Sequence, residues 1–208
     1  MPGWTTQWGR KLHAVLVAAL LASVGALACG CASAAAARRA SAPAARRAAA
    51  PRNCAGANLH PNASDLAAVD AATLCLVNGV RVAHDARPLR ANDELDDVAA
   101  SQIASMLIGD YFADVSPSGQ TALSVVAGTP YPAHAASFAI GQNLAWGYGQ
   151  DVTPAHIVAE WMASPPHRTI MLGGEYRDAG VAVAPSAPAL LDAPPPDATY
   201  AFEFGVRF

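Results

Sequence analysis

Three polar side chains far apart in the chain, Asp114, Gln142 and His167, stand at the ends of apolar segments, so only a fold could bring them together. Their contexts are Tyr111-Phe112-Ala113-Asp114, Gly141-Gln142-Asn143-Leu144-Ala145 and the run from Glu160 to Arg168, which contains Trp161-Met162 and Ser164-Pro165-Pro166-His167. An imidazole beside a carboxylate can hold a divalent cation or move a proton, because it joins a borderline-soft nitrogen donor to a negative charge. The amide of Gln142 supplies neither charge nor basicity, so one His, one Asp and one amide make a poor zinc site. Two quieter roles fit the same residues. Asp114 can pair with His167 and keep the shape of a cleft, while Gln142 satisfies that cleft as both donor and acceptor. His167 can equally fasten a turn through a backbone carbonyl, with burial and a helix start both disfavouring its charged form. No residue is assigned a catalytic or metal-binding role on this basis, and no cofactor is expected, a divalent cation being possible but disfavoured.

Other candidates are weaker. Ser116 and Ser164 lack the Gly-x-Ser-x-Gly elbow, and a serine nucleophile needs both a base and an orienting acid. His60, His84, His134 and His156 are scattered and read as having no carboxylate at helical spacing. Asn62-Ala63-Ser64 fits a glycosylation triplet, but Ser64 reads better as a helix cap. The acids Asp93, Glu94, Asp96 and Asp97 read as a helix start, where the helix dipole favours negative charge.

The elements that must position these residues follow from periodicity and capping. Leu66, Val69, Thr73, Leu76 and Val80 at helical spacing predict a first helix from Ser64 to about His84. Asn92 caps a second helix to Gly109, carrying Leu95, Val98, Ile103 and Met106. Gln120 to about Gly128 predicts a short helix, and Thr129 to Pro132 a loop. Ser137 to Trp146 reads as the strand that carries Gln142. Thr153-Pro154 opens another helix, with Ile157, Val158, Trp161 and Met162 on its buried face. Ser164-Pro165-Pro166 stops it, and His167 begins a short turn toward Leu172. Ala179 to Ala184 and Thr199 to Phe208 alternate as strands. The proline-rich stretch Pro185 to Asp197 reads as a mobile surface loop.

Charge and cysteine usage divide the 208 residues. Seven Arg or Lys and no acid precede Cys54, whereas six Arg and sixteen acids follow it. The folded part is therefore acidic, which excludes nucleic acid as a partner, since phosphates demand a basic face. Residues 1–28 have the layout of a signal peptide or N-terminal membrane segment, with Arg10 and Lys11 before an apolar run that ends in Ala26-Leu27-Ala28. That run falls short of the roughly 20 residues a crossing needs, and membrane contact is expected only through this N-terminal segment. Cys29 and Cys31 at the junction leave lipoprotein anchoring open beside simple cleavage. Residues 29–53, rich in Ala, Arg and Pro, read as a disordered tether to a domain at 54–208. In an oxidising compartment Cys54 and Cys75 most simply pair, a buried free Cys75 being the alternative.

The ordered blocks resemble the CAP superfamily (cysteine-rich secretory proteins, antigen 5 and pathogenesis-related proteins), in particular its bacterial SCP-like branch. There they usually run Tyr-Phe-Ser-His, Gly-Glu-Asn-Ile-Ala and Trp-Met-x-Ser-Pro-Gly-His-Arg. Leu76-Val77-Asn78, Arg87-Pro88-Leu89-Arg90-Ala91-Asn92, Ser116-Pro117-Ser118-Gly119 and Phe204-Gly205 match further. The resemblance spans about residues 54 to 208 and implies an α+β fold, the three-layer α-β-α sandwich. It also sharpens the departures. Asp114 replaces a histidine, Gln142 a glutamate and Pro166 a glycine, so only His167 survives of the family's His and Glu cluster. The resulting expectation is an exported, extracellular or envelope-associated, non-catalytic binding module with a degenerate cleft, the resemblance implying a lipid or sterol-like ligand or an envelope component. The alternative is a divalent-metal-dependent, hydrolase-like or metal-binding protein using Asp114 and His167.

Overall fold

The structure, a computed structural model, describes residues 53–208. The leader at 1–28, Cys29, Cys31 and the tether up to Arg52 lie outside the described residues. In chain order the elements are α1 (Leu66–Ala83), β1 (Arg90–Ala91), α2 (Asp93–Gly109), α3 (Ala122–Val126), β2 (Phe138–Tyr148), α4 (Pro154–Ala163), α5 (Pro165–Met171), β3 (Asp178–Ala184) and β4 (Asp197–Arg207), with 3-10 turns at Gly149–Val152 and Ala189–Leu191. The sheet order is β1-β3-β4-β2. β4 is antiparallel to both neighbours, and only the two-residue β1 pairs parallel, with β3.

Side-chain alternation along β4 decides the layers. Tyr200, Phe202, Phe204 and Val206 point to one face and meet Val69 and Val77 of α1, Ile157, Val158 and Trp161 of α4 and Met171 of α5. Ala201 points the other way and packs with Leu144 and Ala182 against Ala99, Ile103 and Met106 of α2. Large residues thus fill the space under three helices, and small ones let α2 lie close. Gly180 of β3 marks the closest approach, since a Cβ there would collide with the Leu95 backbone of α2. The result is the α-β-α sandwich that the sequence predicts. By length and composition α1 is apolar enough to cross a membrane, yet Val69, Ala72, Thr73 and Val77 are buried in the domain, so its apolarity serves the core.

Caps explain most boundaries. Asn92 accepts from the Leu95 N–H at 3.1 Å, Thr121 and Ser124 form a capping box, and Thr153 accepts from the His156 N–H with Pro154 at the first helical position. Ser64 does not cap α1: Asp65 is the cap residue without a side-chain cap bond, and Ser64 instead bonds Asn62. His167 does not begin its helix but sits inside α5, because the two prolines that end α4 also start α5. The stretch 185–197 departs from the mobile loop expected. It contains a 3-10 turn and is fastened by Leu190 N–H to Asp110 at 2.6 Å, Ala187 N–H to Asp197 at 2.6 Å and the Thr199 hydroxyl to the Ser186 carbonyl at 2.8 Å. Hydrogen bonds to Asp110, Asp197 and Ser186 hold it.

Arg81 on α1 has no solvent exposure. Its guanidinium donates to the carbonyls of Met171 at 2.6 Å, Gly173 at 3.1 Å and Arg87 at 2.8 Å, tying α1 to the C-terminal end of α5. Cys54 and Cys75 are joined in a disulfide, with 5.7 Å between their Cα atoms.

Two outcomes follow. Gly180→Ala should lower stability by about 1–3 kcal/mol through overpacking against α2, while Gly174→Ala, with open space around it, should change the urea midpoint little. Reducing the disulfide, which closes a loop of sequence separation 21, should cost about 3 kcal/mol in the chain-entropy view, read as a lowered Tm in reductant and no change in a Cys54→Ser/Cys75→Ser variant.

Candidate functional site

Gln142 lies on β2, the edge strand, with its side chain on the α2 face of the sheet beside Leu144. Its register partner on β4 is Glu203, and the two side chains meet: Gln142 Nε2 donates to Glu203 Oε1 at 2.6 Å. Glu203 has no exposed surface. Burial pushes its carboxyl up to about 8, the Gln142 amide pulls it back, and the charge of Asp114 pushes it further up. Gln142 Oε1 and Glu203 Oε2 are both buried without a hydrogen-bond partner.

The structure sets a carboxyl at 203, across the ladder from Gln142, buried behind the cleft rather than lining it. The signal was present as a charge between Phe202 and Phe204, inside the apolar middle of the strand. Alternation alone could not show that residue 203 faces 142, because register is a tertiary property.

Asp114 is exposed and follows α2 in a loop held by Gln102 Nε2 to the Ala113 carbonyl at 3.0 Å. Together with Val115, Leu123 of α3, Ile140 and Gln142 of β2 and Ile170 of α5, it lines a cavity of about 290 Å³. His167 stands one turn before Ile170 on α5. Burial lowers its pKa and the nearby Asp114 charge partly offsets this, so Asp114 lies within electrostatic reach of both His167 and Glu203. The Asp114 and His167 pairing expected from sequence takes no closer form: among the described residues, no side-chain hydrogen bond or ion pair within 4 Å joins them. What holds His167 is its backbone carbonyl, which accepts from the buried Asn143 Nδ2 at 3.1 Å. Gln142 and Asn143, adjacent on β2, thus serve opposite faces, one in the cleft and the other stapling α5.

Among the described residues no three His, Cys, Asp or Glu side chains are arranged to hold a metal ion, and the carboxyl behind the cleft is covered by an amide. Ser116 is engaged with Ser118 and the Gln120 N–H, which shapes the turn after Asp114. His156 departs from the expectation that it lacks a carboxylate at helical spacing. Glu160 lies one turn on, at 3.8 Å, and Asp151 at 3.5 Å, on a solvent-facing side of α4 where such pairs contribute little. A second cavity, of about 350 Å³, has Asp70 of α1 and Asp96 of α2 among otherwise apolar lining residues. There burial, followed by the Asp96 charge, raises Asp70 to about 7, while Asp96 accepts from the Val181 N–H at 2.7 Å.

A pH dependence follows. Glu203 and Asp70 have folded-state pKa values above their unfolded ones, so the folded chain holds more protons between about 4 and 8. As far as these two groups go, stability should be full below about pH 4, fall as pH rises from there to about 7 for Asp70 and about 8 for Glu203 by at most about 1.4 kcal/mol per pH unit for each group, and level off above. Glu203→Gln should flatten that fall, read from urea midpoints at pH 5, 7 and 9; an unchanged slope would place the titrating group elsewhere.

The comparisons agree with this architecture. The family model described as the cysteine-rich secretory protein family, CAP, matches residues 74–190. Among solved structures, an outer surface protein from Borrelia burgdorferi superposes with a TM-score of 0.51 at 16% identity, covering 65% of this chain and 90% of that one. An extracellular protein containing a SCP domain from Bacillus anthracis gives 0.54 at 19% identity, covering 71% of this chain and 44% of that one, so the match spans less than half of the Bacillus protein. A search of curated proteins finds no match. With the family model spanning more than half of its residues, the chain belongs to the CAP family.

Proposed function

We propose that this protein is an exported CAP-domain binding module whose cleft beside β2 recognises a ligand without transforming it. The observation that carries this reading is the 2.6 Å bond between Gln142 and Glu203. General-base or metal chemistry needs a carboxylate that is ionised and open to a reactant. Glu203 is neither, because it is sealed in the sheet, raised to about 8, and capped by an amide where the cleft begins. The imidazole of His167 has no acid bonded to it that would set its tautomer and strengthen it as a base. What the cleft retains is a cavity with apolar walls and a few convergent polar atoms, the usual make-up of a small-ligand site.

Export is supported by the leader-like residues 1–28, by the disulfide, which belongs to oxidising compartments, and by relatives described as an extracellular and an outer surface protein. Retention at the envelope, through Cys29 or Cys31 or through the basic tether, belongs to the same reading.

Calorimetric titration with zinc at pH 7 tests the choice. The expected result is no micromolar binding and no difference between the parent chain and His167→Ala. Micromolar zinc binding that His167→Ala and Asp114→Ala both abolish would favour the metal-dependent alternative instead. Mass spectrometry of the protein from its own cells should show an N-terminus beyond residue 28.

A further inference from the structure

Two polar side chains on the cleft wall, Asp114 and Gln142, leave acceptors for a ligand. Asp114 is an exposed carboxylate with no ion-pair partner among the described residues. Gln142 gives its Nε2 to Glu203, so the end left over is the carbonyl Oε1, buried and without a donor. Glu203, fully buried behind it, is pushed by burial toward its protonated form and so adds no free acceptor of its own. Neither Lys nor Arg lines the cavity, and the chain after Cys54 contains no Lys at all. The donor that would satisfy these oxygens must therefore come from outside. The remaining wall is aliphatic, from Val115, Leu123, Ile140 and Ile170, with Val115 51% and Leu123 50% exposed, unusually open for residues of their type.

Resting on the reading of this cleft as a ligand site, we propose that it binds a primary ammonium carried on an unbranched aliphatic stem. The ammonium donates to the Asp114 carboxylate and Gln142 Oε1, and the stem lies along Leu123, Ile140 and Ile170. An ammonium has three donors and no acceptor, the complement of what the cleft presents. A cavity of about 290 Å³ stands at the small end of ligand sites, about 300–1,000 Å³, which suits a short alkyl chain better than a polycyclic body. Glu203 is a positioning residue here: by accepting Nε2 it fixes which end of the Gln142 amide is left over for the ligand. The charged or titratable groups bearing on this arrangement are Asp114, from the loop after α2, which raises Glu203, and His167 of α5, whose pKa burial lowers and Asp114 partly restores. A cation arriving near Glu203 favours its ionised form, so binding near pH 7 should release a proton.

The same chemistry is found in a lysine side chain of a partner protein and in a free alkylamine, and calorimetry with the full chain at low salt separates them. n-Hexylamine and the N-acetyl, N′-methylamide derivative of lysine are the probes, with n-hexanol as the uncharged comparison. Hexylamine is expected to bind at least about tenfold more tightly than hexanol, and Asp114→Asn or Gln142→Leu to weaken it by about tenfold each. Gln142→Glu, which adds a negative charge, is expected to strengthen it. The heat should depend on the buffer's ionisation enthalpy in the parent chain and not in Glu203→Gln. Binding of the lysine derivative as tight as hexylamine indicates a protein partner; binding of hexylamine alone indicates a small amine. Hexanol binding as tightly as hexylamine, with both weakened by Gln142→Leu, overturns the ammonium assignment and leaves the ligand site standing. Absence of binding by all three probes, or amine binding indifferent to Asp114→Asn and Gln142→Leu, overturns the assignment as well. Asp114 is exposed, so Asp114→Asn keeps the test independent of folding.

Discussion

β4 runs between β2 and β3 with its aromatic side chains on one face and Ala201, Glu203 and Gly205 on the other, and this asymmetry sets the spacing of everything around it. On the aromatic face Phe202 and Phe204 lie 4.5 Å apart by ring centroids, Trp161 meets Phe202 edge-on at 5.9 Å, and Tyr176 meets Phe204 at 5.6 Å. Rings in these tilted and edge-on arrangements fill volume with specific geometry, and α1, α4 and α5 pack over them. On the other face the lack of bulk brings α2 down onto Gly180 and Leu95 next to Gly205. A larger residue at these positions would lift α2 and, with it, the loop that carries Asp114.

Within that small-residue face, Glu203 is the exception. A carboxyl with no solvent is costly in its charged form, and the structure answers by holding it at a pKa of about 8 and giving one oxygen an amide donor. The amide comes from the edge strand, so the pair reaches from the centre of the sheet to the cleft. The acid lies one strand in from the edge, and the position at the cleft, Gln142, carries a neutral group.

Support for the cleft comes from residues that never touch it. Arg81 satisfies carbonyls at the end of α5, where the helix leaves them without partners. Asn143 holds the His167 carbonyl, and Trp161 Nε1 donates to the Leu144 carbonyl at 3.1 Å. These bonds fix α4 and α5 against β2 from the far face. Tyr131 adds a similar anchor, its hydroxyl on Asp178 at 2.9 Å under the Arg207 guanidinium.

Much of the fold was legible in the chain because it rests on local rules. The caps Asn92 and Thr153, the proline at 154 and the alternation from Thr199 onward gave helices and strands close to those observed, and the ordered blocks pointed to the family. Local rules failed where neighbours compete: Ser64 bonds Asn62 rather than α1, the prolines after Ser164 start a helix as well as end one, and side-chain acceptors pin the stretch after Pro185. The site was legible only in part. Asp114, Gln142 and His167 could be named from motifs, but the buried carboxyl at 203 could not. By itself the sequence determined which segments form helices and strands and which faces they bury, because propensity, capping and periodicity act over a few residues. Only the tertiary structure decided that Glu203 sits opposite Gln142, since strand register joins residues 61 positions apart and depends on the packing of both sheet faces at once.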